Sequence, residues 1–324
     1  MRYTTLGSTD LEVSRICLGT MTFGKQTAED EALKILDAAA TAGVNFIDTA
    51  DGYPMGMPDL SRTGLTERIV GRWLKGKREQ FIIATKAGAQ MSDDPRDLGA
   101  SRKHLFDAID GSLRRLDTEY IDLYQLHFDD VATPLDETLQ ALDEIVRSGK
   151  VRYIGVSNID SKRLAEALDI SDRRGLARYV SVQPRYNLLY RDVERELLLL
   201  AESEHLGVIP YNPLAGGMLT NRYHFDDKPE TGRFSPEIGT FGTMYRGRYW
   251  NASAFAIVER AKVIADKHGL PLTTLAIAWV LAQPAITSTI VGASKAAQLT
   301  DSLAAADVEI GIDTIAELNE QAPV

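Results

Sequence analysis

Eight short apolar segments, alternating with amphipathic helical patterns, leave this chain few ways to fold. They are RICLGT from Arg15, NFIDTA from Asn45, FIIATK from Phe81 and YIDLYQLH from Tyr120, then VRYIGVSN from Val151, VSVQPRYN from Val180, GVIPYNP from Gly207 and TSTIVGAS from Thr287. Most have the apolar character of strands covered on both faces. Between them, Leu105, Ile109, Ser112 and Leu116 fall on one helical face, as do Leu135, Leu139, Leu142 and Ile145. The second of these helices is expected to open with Thr133 as N-cap and Pro134 at its first position, and to end at Gly149. Strand and helix alternating eight times predicts an α/β fold, a closed (β/α)8 or TIM barrel of parallel strands, as a single domain over residues 1–324. A doubly wound open sheet is the alternative. No Gly-x-Gly-x-x-Gly follows any strand, which weighs against it.

The opening MRYTTLGSTDLEVS, with turn formers from Gly7 to Asp10, predicts a β-hairpin ahead of the barrel, placed to plug its lower end. After the seventh strand, residues 220–251 are too long and too rich in Gly, Pro and aromatics for a plain connection. Such a loop is expected to be a lid or a binding loop. A net charge of −10 argues against a nucleic-acid partner, which would need a basic face. The first residues hold no apolar signal segment, and no apolar run approaches the roughly 18 residues that span a bilayer. The expectation is a soluble, cytoplasmic protein with no membrane partner. Cys17, between Ile16 and Leu18, reads as an inert core thiol. The five histidines have no short ligand spacing, so no metal site is expected.

Barrels of this kind place their chemistry at the C-terminal ends of strands. Here those ends carry Thr20; Asp48 and Tyr53; Lys86; His127; Ser157 and Asn158; Gln183; Tyr211; and Ser294 with Lys295. Taken singly, each has a bland explanation: a capping Asp, a rim Lys, a satisfied His. Taken together they describe a proton donor. A phenol has an ordinary pKa of about 10. A nearby ammonium lowers it, and a carboxylate holds the ammonium in place. A histidine beside the phenol can orient a carbonyl oxygen or share the proton.

The motifs DTADGY (Asp48 to Tyr53), ATKAG (Ala84 to Gly88) and SLRRLDTEYIDLYQLH (Ser112 to His127) resemble those of the aldo-keto reductase superfamily. GKVRYIGVSN, VQPRYN, PLAGGMLT and IVGASKAAQL continue the resemblance over nearly the whole chain. It looks closest to the longer bacterial branch, which includes relatives of the potassium-channel β subunit. The resemblance implies a (β/α)8 barrel that binds a nicotinamide dinucleotide without a glycine fingerprint. It also implies reduction of a small aldehyde or ketone, with Tyr53 as general acid, Lys86 and Asp48 tuning it, and His127 orienting the carbonyl.

By the same resemblance Tyr211 lies against the nicotinamide, and Ser157, Asn158 and Gln183 bond its carboxamide. Leu214, Gly216, Met218 and Arg222 line the pyrophosphate path, with Arg233 as a clamp. Gly19, Thr20, Met21, Asn212, Pro213 and Gly292 complete the cofactor's surroundings, while Ser294, Lys295, Gln298, Asp301 and Ser302 take its adenosine end. Lys295 is the natural partner of a 2′-phosphate, which favours NADP (NADPH) over NAD. Phe23, Met55, Phe128 and Trp250 are the expected substrate pocket, with Pro54, Met57, Phe241, Tyr245 and Tyr249 as further candidates. Packing of the loop aromatics onto the barrel is the equal alternative. Three positions depart from the family pattern: Asp129 where Pro is frequent, expected to alter the substrate mouth, Asn212 where Ser is frequent, and Ser302 where Asn is common.

Two other activities compete with this one. A Schiff-base lyase using Lys86 needs a free amine, and Asp48 would keep that amine charged. An NADP(H)-binding redox sensor or interaction subunit with little turnover fits the channel-associated relatives. The sequence leaves oligomeric state and natural substrate unassigned.

Overall fold

The computed structural model describes residues 1–54 and 60–321. The chain opens with a hairpin of β1 (Tyr3–Thr5) and β2 (Glu12–Ser14), paired antiparallel with Tyr3 opposite Ser14. Eight parallel strands follow: β3 (Ile16–Gly19), β4 (Phe46–Asp48), β5 (Ile82–Ala87), β6 (Ile121–Leu126), β7 (Val151–Ser157), β8 (Tyr179–Gln183), β9 (Gly207–Val208) and β10 (Thr289–Gly292). Each pairs with its neighbour in chain order, and β10 returns to pair with β3. The circle closes where Val208 and Tyr211 bridge Ile286 and Ile290, and the Ile290 N–H donates to the Pro210 carbonyl at 2.8 Å. The predicted (β/α)8 barrel is what the chain forms.

Helices supply the crossovers: α1 (Glu29–Thr41), α2 (Leu65–Leu74), α3 (Arg102–Leu116), α4 (Leu135–Arg147), α5 (Ser161–Arg174) and α6 (Leu197–Ser203) follow the first six barrel strands. Then come α7 (Thr240–Tyr249), α8 (Ala252–Lys267), α9 (Leu272–Leu281), α10 (Leu299–Ala304) and α11 (Ile312–Gln321). Ser101, Asp160 and Asn251 cap α3, α5 and α8 through their side chains, satisfying otherwise orphaned N–H groups. The start of α4 differs from expectation. Pro134 occupies the cap position, and the Thr133 hydroxyl donates instead to Asp130 at 2.6 Å. Asp130 wins because its carboxylate also accepts from the N–H groups of Ala100 and Ala132, tying the loop after β5 to the loop after β6.

Two layers fill the barrel. Alternate residues of a strand face the same way, so Phe46 and Asp48, Ala84 and Lys86, and Leu123 and Gln125 each rise along one inner row. The lower members of these rows form an apolar cluster with Cys17, Ile209 and Ile290, and Leu6, Leu11 and Val13 of the hairpin segment pack into it. The hairpin therefore forms the floor, and Cys17 lies fully buried just above it. Gly155 allows β7 to come close to β8 beside Gln125: a Cβ there would collide with Ser181 Oγ.

The segment after β9 is more ordered than a loop. It contains 3-10 turns at Ala215–Thr220 and Pro236–Ile238 and then α7. Tyr223, Phe234 and Trp250 meet edge to face with ring centroids 5.0–5.6 Å apart, so the aromatics give the segment a small core of its own.

Leu6 is fully buried in the floor. Leu6→Ala should cost about 2–5 kcal/mol in urea unfolding. An unchanged midpoint would mean that the hairpin does not carry the floor.

Candidate active site

Above the apolar floor the inner rows of β4, β5 and β6 turn polar. Asp48 ends β4 at 2% exposure and Lys86 stands near the end of β5 at 0%. An ammonium has three protons to donate, and all three are placed. Lys86 Nζ donates to Asp48 Oδ1 in a short ion pair, to the Thr49 carbonyl at 2.9 Å and to Tyr53 Oη at 3.4 Å. Asp48 Oδ2 accepts from Gln183 Nε2 at 2.9 Å and Gln125 Nε2 at 3.1 Å. The carboxylate is thus fixed from three other strands, β5, β6 and β8, and passes that order to the lysine and on to the phenol.

Burial alone would pull the Lys86 ammonium down, but Asp48 and then Tyr53 outweigh it, and the group ends above its ordinary value. For Tyr53 the balance falls against the sequence argument. Burial raises the phenol more than Lys86 lowers it, so it sits above 10 and keeps its proton at neutral pH. His127 is held well below its ordinary value, by burial first and the Lys86 charge second, and is neutral. Its ring meets Tyr53 edge to face at 5.6 Å and lies flat on Phe128 at 4.5 Å. His127 Nδ1 is buried with no hydrogen-bond partner among the described residues.

A second network extends from this centre. The Ser157 hydroxyl donates to the Gln183 carbonyl at 2.7 Å, Asn158 Nδ2 to the His127 carbonyl at 2.9 Å, and Tyr211 Oη to Asn158 Oδ1 at 2.9 Å. Asn212 takes a left-handed φ of 64° and caps the Gly216 N–H at 2.7 Å while donating to Tyr249 Oη. Asparagine is among the few non-glycine residues that tolerate that φ, which explains its presence there.

A cleft of about 810 Å³ opens over this network. Asp48, Tyr53 and His127 form its base. Gly19, Thr20, Met21, Ser157, Asn158, Gln183, Tyr211, Asn212, Pro213, Leu214, Gly216, Arg222 and Arg233 line its walls, with Gly292, Ser294, Gln298, Asp301 and Ser302 at one end and Phe128 at the mouth. Met218 does not line it; at 1% exposure it packs in the core below. Lys295 does not line it either; its backbone N–H and the Ser294 N–H and hydroxyl all donate to Gln298 Oε1.

Of the expected substrate residues, Phe23 is fully buried in the outer core and never reaches the cleft. Trp250 packs among the loop aromatics and donates its indole N–H to the Phe225 carbonyl at 3.0 Å. Tyr249 is buried too, while Phe241 and Tyr245 do line the cleft. Met55 and Met57 lie outside the described residues. Asp129 does not line the cleft; it pairs with the α5 guanidinium of Arg163 at 3.0 Å.

Sequence reasoning missed Gln125, although strand parity places it on the inner row of β6 beneath His127. It also missed Asp51. This carboxyl of the DTADGY motif is fully buried, and neither oxygen has a hydrogen-bond partner among the described residues. Burial and the charge of Glu67 push it well above the usual carboxylate range, so it is neutral. Glu67 itself is balanced by Arg115 and by the Thr85 hydroxyl, each at 2.6 Å.

The profile of the Aldo/keto reductase family matches residues 15–322. The chain is 36% identical to the uncharacterized oxidoreductase YrpG of Bacillus subtilis, over all of this chain and 96% of that protein. It is also 36% identical to protein tas of Escherichia coli, over 98% of this chain and 96% of that one. A probable voltage-gated potassium channel subunit beta of Oryza sativa subsp. japonica is 34% identical, over 95% and 92% of the two chains.

A buried acid with a raised pKa contributes stability present below its unfolded value, near pH 4, and lost as pH rises through its folded value. Asp51→Asn, which mimics the neutral acid, should therefore gain on the wild type as pH rises. Its melting-temperature advantage should widen from about pH 4 to pH 8. A difference constant over that range would mean that Asp51 is ionised in the fold.

Proposed function

The chain belongs to the aldo/keto reductase family and is an oxidoreductase, and from that premise we propose that it reduces aldehyde or ketone carbonyls with NADPH, using Tyr53 as the general acid. The observation that carries the reading is a buried phenol that holds its proton while an ammonium stands 3.4 Å from its oxygen.

The donor set of the cleft fits a nicotinamide dinucleotide. Arg222 and Arg233 line it without a salt bridge among the described residues, two cations suited to a pyrophosphate. Tyr211 presents an aromatic face at the end where Asn158 and His127 meet, suited to a nicotinamide ring. When bound, the cofactor supplies a hydride to the carbonyl carbon. The chain's residues do the rest. Tyr53 bonds the carbonyl oxygen and gives it a proton as negative charge builds there. Lys86 stabilises the phenolate left behind, and Asp48 keeps that ammonium charged and aimed. His127 is neutral and its Nδ1 is buried without an acceptor. Orphaned acceptors are better tolerated than orphaned donors, so the imidazole proton belongs on Nε2, where it can steer the carbonyl oxygen. Electrostatic groups set in place before reaction cost no reorganisation during it.

A second reading, an NADP(H)-binding sensor or interaction subunit, is favoured by the likeness to the rice channel subunit. The complete Asp48, Lys86, Tyr53 and His127 arrangement favours the enzyme. Lys295 and Gln298 are proposed to receive the adenosine end, with Lys295 moving onto a 2′-phosphate.

NADPH oxidation with 4-nitrobenzaldehyde tests the reading. Tyr53→Phe should lower turnover by about 10²- to 10⁴-fold, the range of a lost general acid, with NADPH still bound. Wild-type rates in that variant would remove Tyr53 as the acid. Lys295→Ala should weaken NADPH by about fivefold, the worth of one exposed ion pair, and leave NADH nearly unaffected. Equal loss for both cofactors would remove Lys295 as the reader of the 2′-phosphate.

A further inference from the structure

The cleft is cationic, although the chain as a whole carries a net charge of −10. Among the described residues that line it, Arg222, Arg233 and Arg248 face only Asp301 and Asp48, and Asp48 is neutralised by Lys86. Arg222 lies beside the Tyr223 ring and Arg233 beside Tyr245. Arg248, in the last turn of α7, is exposed and makes no hydrogen bond, ion pair or ring contact with any of the described residues. Through its chain neighbour Tyr249, whose hydroxyl accepts from Asn212 beside Tyr211, Arg248 is placed at the Tyr211 end of the cleft. Its charge acts on the Tyr211 phenol, lowering it against the burial that pushes it up to about 12, and that phenol joins Asn158 and His127. At the same end Phe128 is 43% exposed and extends the His127 ring as a flat apolar wall.

We infer that the substrate is a carbonyl compound with a planar apolar body and an anionic group, a carboxylate or its equivalent, whose charge is received by Arg248 while the body lies on Phe128. This rests on the reductase reading. The cofactor's own anions have Arg222, Arg233 and Lys295 available. Arg248 is then the cation left for the substrate, and a planar guanidinium matches a carboxylate in two parallel hydrogen bonds. Charge of this kind also draws an anionic substrate to the cleft, an effect that salt weakens.

The test pairs 4-formylbenzoate with its neutral methyl ester, which keeps the aldehyde and the ring and removes the charge. Wild-type kcat/KM should favour the acid by about fivefold, the worth of one exposed ion pair, and the preference should shrink as salt is raised. In Arg248→Met the ratio should fall to near one. A ratio near one in the wild type, or one kept in Arg248→Met, overturns the inference. A variant that instead loses NADPH affinity with the ratio intact assigns Arg248 to the cofactor, which also overturns it. Binding of 4-(hydroxymethyl)benzoate and its methyl ester to the NADP-loaded protein, read by calorimetry, gives the same comparison without turnover. Acid preference in binding with no reduction of either aldehyde would sink the reductase reading and leave the anion site standing.

Discussion

The arrangement depends on one buried ion pair. Removing a carboxylate and an ammonium from water costs several kcal/mol for each ion unless geometry and further hydrogen bonds repay it. Asp48 and Lys86 have those further hydrogen bonds. The lysine spends its protons on Asp48, Thr49 and Tyr53, and the second carboxylate oxygen takes Gln125 and Gln183. Every group that satisfies the pair comes from β4, β5, β6 or β8, or from the loop directly after β4. The barrel must close in one register for the pair to be tolerable, and the tolerable pair delivers a charged ammonium to the phenol.

The apolar floor below matters for the same reason. Water reaching Lys86 from beneath would screen the charge that acts on Tyr53, and the hairpin residues Leu6, Leu11 and Val13 seal that route. The second buried pair, Glu67 with Arg115, lies behind the motif; burial first and the Glu67 charge second keep Asp51 neutral, with Arg115 opposing them. Two ionic systems therefore flank the short loop from Asp48 to Tyr53, one facing the cleft and one facing α2 and α3.

Much of this was legible in the chain, because strand ends and inner rows follow from a period of two. Asp48, Lys86 and His127 could be read as one constellation, and the apolar runs around them gave the barrel. What could not be read are balances and side-chain directions. The net shift of Tyr53 is a contest between burial and Lys86, and a sequence shows the ammonium but not the depth. Phe23 and Trp250 are apolar residues near the right strand and loop, yet apolar character cannot say whether a ring faces a cleft or a core. Asp129 reads as a change at the mouth, yet Arg163, the third residue of α5, claims it, a pairing that only the fold brings about. Gln125 was legible from parity alone and was overlooked among its apolar neighbours.

The most direct measurement replaces both charges together. In Asp48→Asn/Lys86→Met no orphan charge is left in the barrel, and swapping a buried pair for neutral groups is often nearly neutral for stability. The account predicts a folded variant that still binds NADPH and reduces 4-nitrobenzaldehyde about 100-fold or more slowly, the loss expected when general acid catalysis fails. Reduction at the wild-type rate by that folded, NADPH-bound variant would contradict it, because the phenol would then act without the ammonium that the barrel is arranged to hold.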